Sequence, residues 1–522
     1  MKVEWTFLGM KINEKEDGSM KKGLFLFLIL AFVLIGFSPS FAARDKDTVV
    51  IAQGVDPTTM DPQNHMETPA WNVHLQMFDT LLQRDSEIKI KPLLAESYKI
   101  VNDLTWEFKL RKGVKFHNGE DFNAAAVKFV LERMADPKLK LRQTVFQGVI
   151  DRVDVVDDYT VRIITKAPYP VMDAMLCIYG QVIPPKYFEE KGPAHFALNP
   201  IGTGPYKFVR WVKDDHIILE ANDQYWRGAP KIKKVMFRPI PEATTRVAAL
   251  QTQEADIITN IPPHLMRLMD WKGRSFVSKA PSVRVIFMAF DTIKGGPQAD
   301  KRVRQAIAMG VDMKTNIKKV LEGNGVLLGS PLTDKHFGYD PSLKPYDYDP
   351  EKAKKLLAEA GYAKGFDFAL NSPSGRYLND KEMAEAVAGD LRKIGINATV
   401  KTHEWGTFMN RMYSHNNPPA YLLGWGNTSF DADFTIAPLM RTGKLLGNVS
   451  FPELDALIDQ GISTMDPKKR KKIYSDAAKV IKEEVPWAWV YQQIDIYGVN
   501  ERLNWKARTD ELMVVFDMSF KK

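Results

Sequence analysis

Phe366-Asp-Phe-Ala-Leu370 is followed by Asn371-Ser-Pro-Ser-Gly-Arg-Tyr-Leu-Asn379, then by the run Lys381 to Ile394, Gly395 and Ile396-Asn-Ala-Thr-Val-Lys401. This reads as a strand, a polar loop, a helix with a glycine stop, and a second strand. The pattern recurs outward from there. Asp349-Pro350 places a cap and an N1 proline ahead of a helix over 351–360 that ends at Gly361. Ala299 to Met309 is a helix stopped by Gly310, and Asp466-Pro467 opens a long helix that Pro486 forbids beyond Glu484. Tyr421 to Trp425 is a further strand. In the first half, Thr48-Val-Val-Ile-Ala52 is a buried strand, and Thr105 to Arg111 alternates as a half-buried one. Val155-Val156 and Thr160 to Thr165 form a hairpin around Asp157-Asp158, while Asn123 caps a helix running to Met134. Strands alternating with helices, without an internal repeat, give an α/β class with sheets covered by helices.

The N-terminal region carries an export signal. Lys21 and Lys22 precede an uncharged apolar run from Gly23 to Phe37, and Ser38-Pro-Ser-Phe-Ala42 supplies small residues for a cut after Ala42. The run is 15 residues long, short of the ~20 that a spanning helix needs. The residues directly after the cut, Ala43, Arg44 and Asp45, include no cysteine, so the product is expected to be periplasmic and without a lipid anchor. Residues 1–19 stand in front of this signal, and Met20 is the expected true start. The mature chain of about 480 residues is long enough for two or three domains. Cys177 is the only cysteine, which excludes an internal disulfide and reads as an inert buried thiol. Net charge is +8, of which +7 falls on the mature chain. No basic block is interleaved with aromatics, so no nucleic-acid partner is expected. The run Lys468-Lys-Arg-Lys-Lys472 reads as a solvated helix face.

Enzyme signatures are missing. The sequence contains no G-x-x-x-x-G-K-[ST], H-E-x-x-H, C-x-x-C or G-x-S-x-G, and its nine histidines show no pair at helical ligand spacing. Pro205 disqualifies Gly202-Thr-Gly204 as a dinucleotide loop. Six other segments occur in order: Pro92 to Tyr98, Trp106 to Gly119, Asn199-Pro-Ile-Gly-Thr-Gly-Pro-Tyr206, Asn222-Asp-Gln-Tyr-Trp226, Arg302 to Ile307, and Tyr348 to Leu357. Together they resemble the peptide-type solute-binding proteins of ABC importers, solute-binding family 5, along nearly the whole mature chain. By themselves these segments read as scaffold: turn pairs, a tight glycine loop and packed aromatics.

The resemblance implies a two-lobed periplasmic binding protein fold with a two-strand hinge. One lobe is expected over 43–284 and 488–522 and the other over 285–487, with crossings near Ser282 to Val285 and Trp487 to Tyr491. It further implies a monomer that binds a small peptide-like solute and delivers it to an inner-membrane ABC permease with its ATPase, with no cofactor and no catalysis. Arg376 lies in the polar loop and offers a planar fork to a carboxylate. The segment Tyr421 to Asp433 supplies Trp425, Gly426, Asn427, Thr428 and Asp431 as further ligand-binding residues. Dipeptide binders of the family carry an aspartate about three residues after this tryptophan, whereas Asn427 and Thr428 stand here. The expected solute therefore depends on its carboxylate more than on a free amine, in the manner of glutathione or other modified peptides. On that reading Asn427→Asp would admit simple dipeptides. A metal-chelate or haem carrier of the same fold and, from another class, a secreted hydrolase are the alternatives.

Overall fold

Two strands organise the molecule. In the computed structural model, which describes residues 46–414, 416–444 and 448–521, Ser275–Phe290 and Trp487–Asn500 run side by side through the middle of an 11-stranded sheet. The expected export signal and residues 1–19 lie outside the described residues. On one side of the central pair follow Ile257–Ile258, Thr48–Gln53, Lys234–Pro239, His216–Ala221 and Tyr206–Val212. On the other follow Ala420–Gly426, Phe366–Pro373 and Ile396–His403, with Gly325–Leu328 added against Trp487–Asn500. The central strands switch partners on the way. Residues 275–281 pair with 494–500, the register breaks between Pro281 and Val285, and 284–290 then pair with 420–426 as well. Pro281 cannot donate to a ladder, which fits it to the edge of such a break.

The stretch that suggested the fold forms a parallel β-α-β unit. Phe366–Pro373 and Ile396–His403 pair in parallel, joined by the helix Asp380–Lys393. The first strand outruns its expected end at Leu370 because Asn371, Ser372 and Pro373 stay in register with Lys401, Thr402 and His403. The expected caps are in place. Asn123, Asp349 and Asp466 accept backbone N–H bonds at the starts of the helices Ala124–Ala135, Pro350–Glu359 and Pro467–Glu484. Gly310 has a different role from the one its sequence suggests. It lies inside the helix Lys301–Gly310, and a Cβ there would come within 2.4 Å of Ile394 Cδ1. Its smallness serves packing rather than termination.

The scaffold reading of the motifs has a concrete basis in one buried knot. The Asp79 carboxylate accepts hydrogen bonds from Thr203 Oγ1 (3.0 Å), Tyr225 Oη (2.9 Å) and Trp226 Nε1 (3.1 Å). Gly202 and Gly204 press on the Met77 backbone, where a Cβ would meet atoms at 2.1 and 2.5 Å. His117 holds the same loop: Nε2–H donates to the Gly204 carbonyl at 2.9 Å and Nδ1 accepts from Gly202 N–H at 3.4 Å. This arrangement admits only the neutral ring, and burial lowers the His117 pKa to about 4. A depressed histidine contributes stability that is present above its unfolded value near 6.5 and lost as pH falls through its folded value. The ring keeps some solvent access, so about 3 kcal/mol is an upper limit. His117→Gln should flatten the decline in melting temperature between pH 7 and pH 4.5. A parallel decline in parent and variant would show that His117 is not a source of it.

Cys177 is buried, with Sγ 3.3 Å from the Asp173 carbonyl, and burial pushes its thiol up to about 12. It is inert at neutral pH.

Candidate ligand site at the junction of the two sheet halves

The site is built on the strand Ala420–Gly426 and the loop after it, facing elements of the first half. Arg84 reaches across to the Ser429 carbonyl, and its guanidinium lies 5.0 Å over the Phe430 ring. His336 stacks on the same ring at 5.5 Å. Held in this way, Phe430 adopts φ +56°, a left-handed conformation that a bulky residue rarely takes. Tyr179 meets Phe434 at 6.3 Å between ring centres. Glu511, from the C-terminal segment, accepts hydrogen bonds from Thr68, Ser282 and Arg284.

The carboxylate of Asp380 shapes the Arg376 loop by accepting the backbone N–H groups of Gly375, Arg376 and Tyr377 at 2.9–3.0 Å. Those bonds occupy the acid nearest in sequence to Arg376. Among the described residues the Arg376 guanidinium has no ion pair. It lies 5.2 Å from the Tyr377 ring centre and 5.0 Å from that of Trp405, and it keeps solvent access. Crowding by protein atoms and then the positive charge of Arg284 lower its pKa, which is the electrostatic condition of a cation lacking a counter-ion. Arg284 itself is paired with Glu511 at 3.0 Å and packs against Gly426, where a Cβ would stand 3.1 Å from Nη2.

The remaining expected residues divide into two groups. Trp425 spends its indole N–H on the Phe434 carbonyl (2.8 Å), so it has a ring face to offer a solute and no donor. Asn427 is buried and donates to the Asp431 carbonyl and to Thr435 Oγ1, both at 2.7 Å. A carboxylate at position 427 would face those same oxygens, so Asn427→Asp would disturb the loop before it could greet an ammonium. Asp431 is held by Arg470 through two 2.6 Å contacts. Burial, then the Asp431 charge, pushes the Asp433 carboxyl up to about 6. Thr428 Oγ1 is different: it is buried and has no hydrogen-bond partner. Among the described residues no group of three or more His, Cys, Asp and Glu side chains is arranged to hold a metal ion, and no helix is long and apolar enough to cross a membrane.

Sequence reasoning missed the cluster of Arg284, Glu511 and Asp495. Burial works against the Glu511 carboxylate, but Arg284 and the hydroxyl donors outweigh it and hold its pKa below the ordinary value. Burial and then the Glu511 charge raise Asp495, whose Oδ2 lacks a partner while Oδ1 accepts from Gln493 at 2.7 Å. The polar run Gln492-Gln-Ile-Asp495 in a strand buried on both faces was the available signal.

Residues 89–445 match the family of bacterial extracellular solute-binding proteins, family 5. The glutathione-binding protein GsiB of Escherichia coli (strain K12) is 30% identical over 463 residues, spanning 86% of this chain and 89% of that protein. The periplasmic binding protein DppA of Helicobacter pylori, solved with the peptide STSA, is similar at 26% identity. It gives a TM-score of 0.80 over 91% of this chain and 98% of its own. The dipeptide-binding protein of Pseudoalteromonas sp. SM9913, solved with Met-Leu, is also 26% identical. Its TM-score is 0.81 over 91% and 100% of the two chains.

Proposed function

Because this chain belongs to the family 5 bacterial extracellular solute-binding proteins, we propose that it is the periplasmic solute-binding component of an ABC importer and takes a small peptide-like carboxylate solute. The observation that carries this reading is Arg376, a guanidinium without a counter-ion on a shelf of two aromatic rings. Of the acids in the adjoining loop, Asp431 is neutralised by Arg470, so it offers no free charge to an ammonium. The glutathione-binding relatives favour a modified peptide over a simple dipeptide. Arg376, Trp425, Gly426 and Thr428 would line the site, with Asn427 and Asp431 shaping its loop.

Residues 43–284 with 488–522 would form one lobe and 285–487 the other. The register break between Pro281 and Val285 supports a crossing at Ser282 to Val285. Its partner residues across the ladder, Gln492 and Ile494, adjoin the proposed second crossing at Trp487 to Tyr491. Export by the 20–42 signal, cleavage after Ala42, action as a monomer, and delivery to a permease with its ATPase complete the reading. Neither a cofactor nor catalysis is required.

Hinge closure means that the solute binds the closed form better than the open one. Small-angle scattering on the mature protein should show a more extended free form and, with saturating glutathione, a profile matching this structure. Binding measured by calorimetry without any change in the profile would count against closure.

A further inference from the structure

We propose that Tyr179 is a specificity-determining residue of this site, and that Tyr179 and Thr428, from opposite sides of the junction, together receive an oxygen acceptor of the solute, a carbonyl or second carboxylate and not an ammonium. The inference rests on the proposed function and extends it to the end of the solute remote from the arginine.

Tyr179 is fully buried, yet its Oη has no hydrogen-bond partner. The same holds for Thr428 Oγ1 across the junction and for Nε1 of Trp71, whose ring meets that of Tyr179 edge-on at 5.9 Å. The Tyr179 and Thr428 hydroxyls are neighbours without the geometry of a hydrogen bond. Each unpaired buried polar group carries a desolvation cost that no bond repays. Buried polar atoms are normally satisfied, and these three unpaired donors are distinguished by lying together in ring or hydroxyl contact. All three can donate a proton, and none carries charge. An acceptor-rich oxygen group can satisfy all three, whereas an ammonium would leave the Trp71 indole N–H, which can only donate, without a partner. Phe434, in ring contact with both Tyr179 (6.3 Å) and Trp425 (5.9 Å), links this cluster to the tryptophan of the ligand strand.

The test separates a ligand role from a structural one. Tyr179→Phe and Thr428→Val remove one hydroxyl each at almost constant shape. Melting curves are recorded for parent and variants, with calorimetric titrations of glutathione and of Met-Leu. The inference expects melting temperatures equal to or above the parent's and an affinity loss of about 5- to 50-fold in each variant, within the range of one lost hydrogen bond. It also expects the variants to lose discrimination between glutathione and Met-Leu. A lower melting temperature for Tyr179→Phe with unchanged affinity would overturn it, because the hydroxyl would then have its partner inside the protein. If the parent binds neither probe, the functional reading fails on its own. The melts then still decide: destabilised variants overturn the assignment, and equal or more stable ones uphold hydroxyls kept for a ligand.

Discussion

Replacing Arg376 with alanine should weaken binding of a carboxylate-bearing solute by roughly 2–5 kcal/mol, the range for truncating one partner of a desolvated charge pair. The side chain keeps solvent access in this structure, which places the expectation toward the lower end, about 30- to 100-fold. Folding should be almost unaffected, since the guanidinium has no ion pair among the described residues and contributes only its stacking on Tyr377 and Trp405. Arg376→Lys retains the charge and loses the planar fork, so it should recover part of the affinity and little of the selectivity. Calorimetry with glutathione and with its carboxamide derivatives distinguishes the cases. The parent should prefer the acid, and Arg376→Ala should bind acid and amide alike. An alanine variant that still prefers the acid would remove Arg376 from the site.

Arg470→Met should cost about 3–5 kcal/mol of folding stability, because it leaves the Asp431 carboxylate buried without a counter-ion. Arg470 also donates to the Gly461 carbonyl at 2.8 Å and lies 4.9 and 5.0 Å over the Phe337 and Tyr474 rings, so the same change loosens three elements. The damage should spread to ligand binding, since Asp431 closes the loop that presents Thr428. Removing both charges in Arg470→Met with Asp431→Asn should recover a good part of the lost stability, as the uncompensated anion is gone. Denaturant unfolding of the three proteins checks this. A single variant as stable as the parent would mean that water reaches Asp431 and that the pair is peripheral.

These two arginines mark the limits of what the sequence disclosed. Arg376 stands out in the sequence because a strand, a polar loop and a helix frame it within one continuous stretch, and its ligand role is the proposal tested above. The strand–helix alternation around it was readable for the same local reasons, through caps such as Asp349 and Asp466 and left-handed stops such as Gly395 at φ +92°. Arg470 lies in a run of five basic residues that reads as a solvated helix face, and four of the five do point outward or partly so. Only the fold reveals that Arg470 is buried against an aspartate 39 positions away. Asp431 was therefore expected at the ligand when its carboxylate is engaged elsewhere. Tyr179 and Glu511 were invisible for the same reason. The residues they face, Thr428 and Ser282 respectively, lie more than 200 positions away in the chain, and no local period or spacing records such meetings.

The same physics explains why scaffold motifs were easier to judge than ligand residues. Gly202, Gly204 and His117 act on backbone within a tight loop, where the requirement for a missing Cβ or one ring tautomer is strict. A ligand site asks only that some donors stay unsatisfied, and the sequence carries no mark of what is left unpaired.

Mass spectrometry of the small molecule released on denaturing natively purified protein identifies the solute itself. One peptide-like molecule should be released per chain, with at least one free carboxylate and a further carbonyl or carboxylate oxygen at its other end. Release of a haem, a metal chelate or a neutral sugar in that ratio would contradict that expectation.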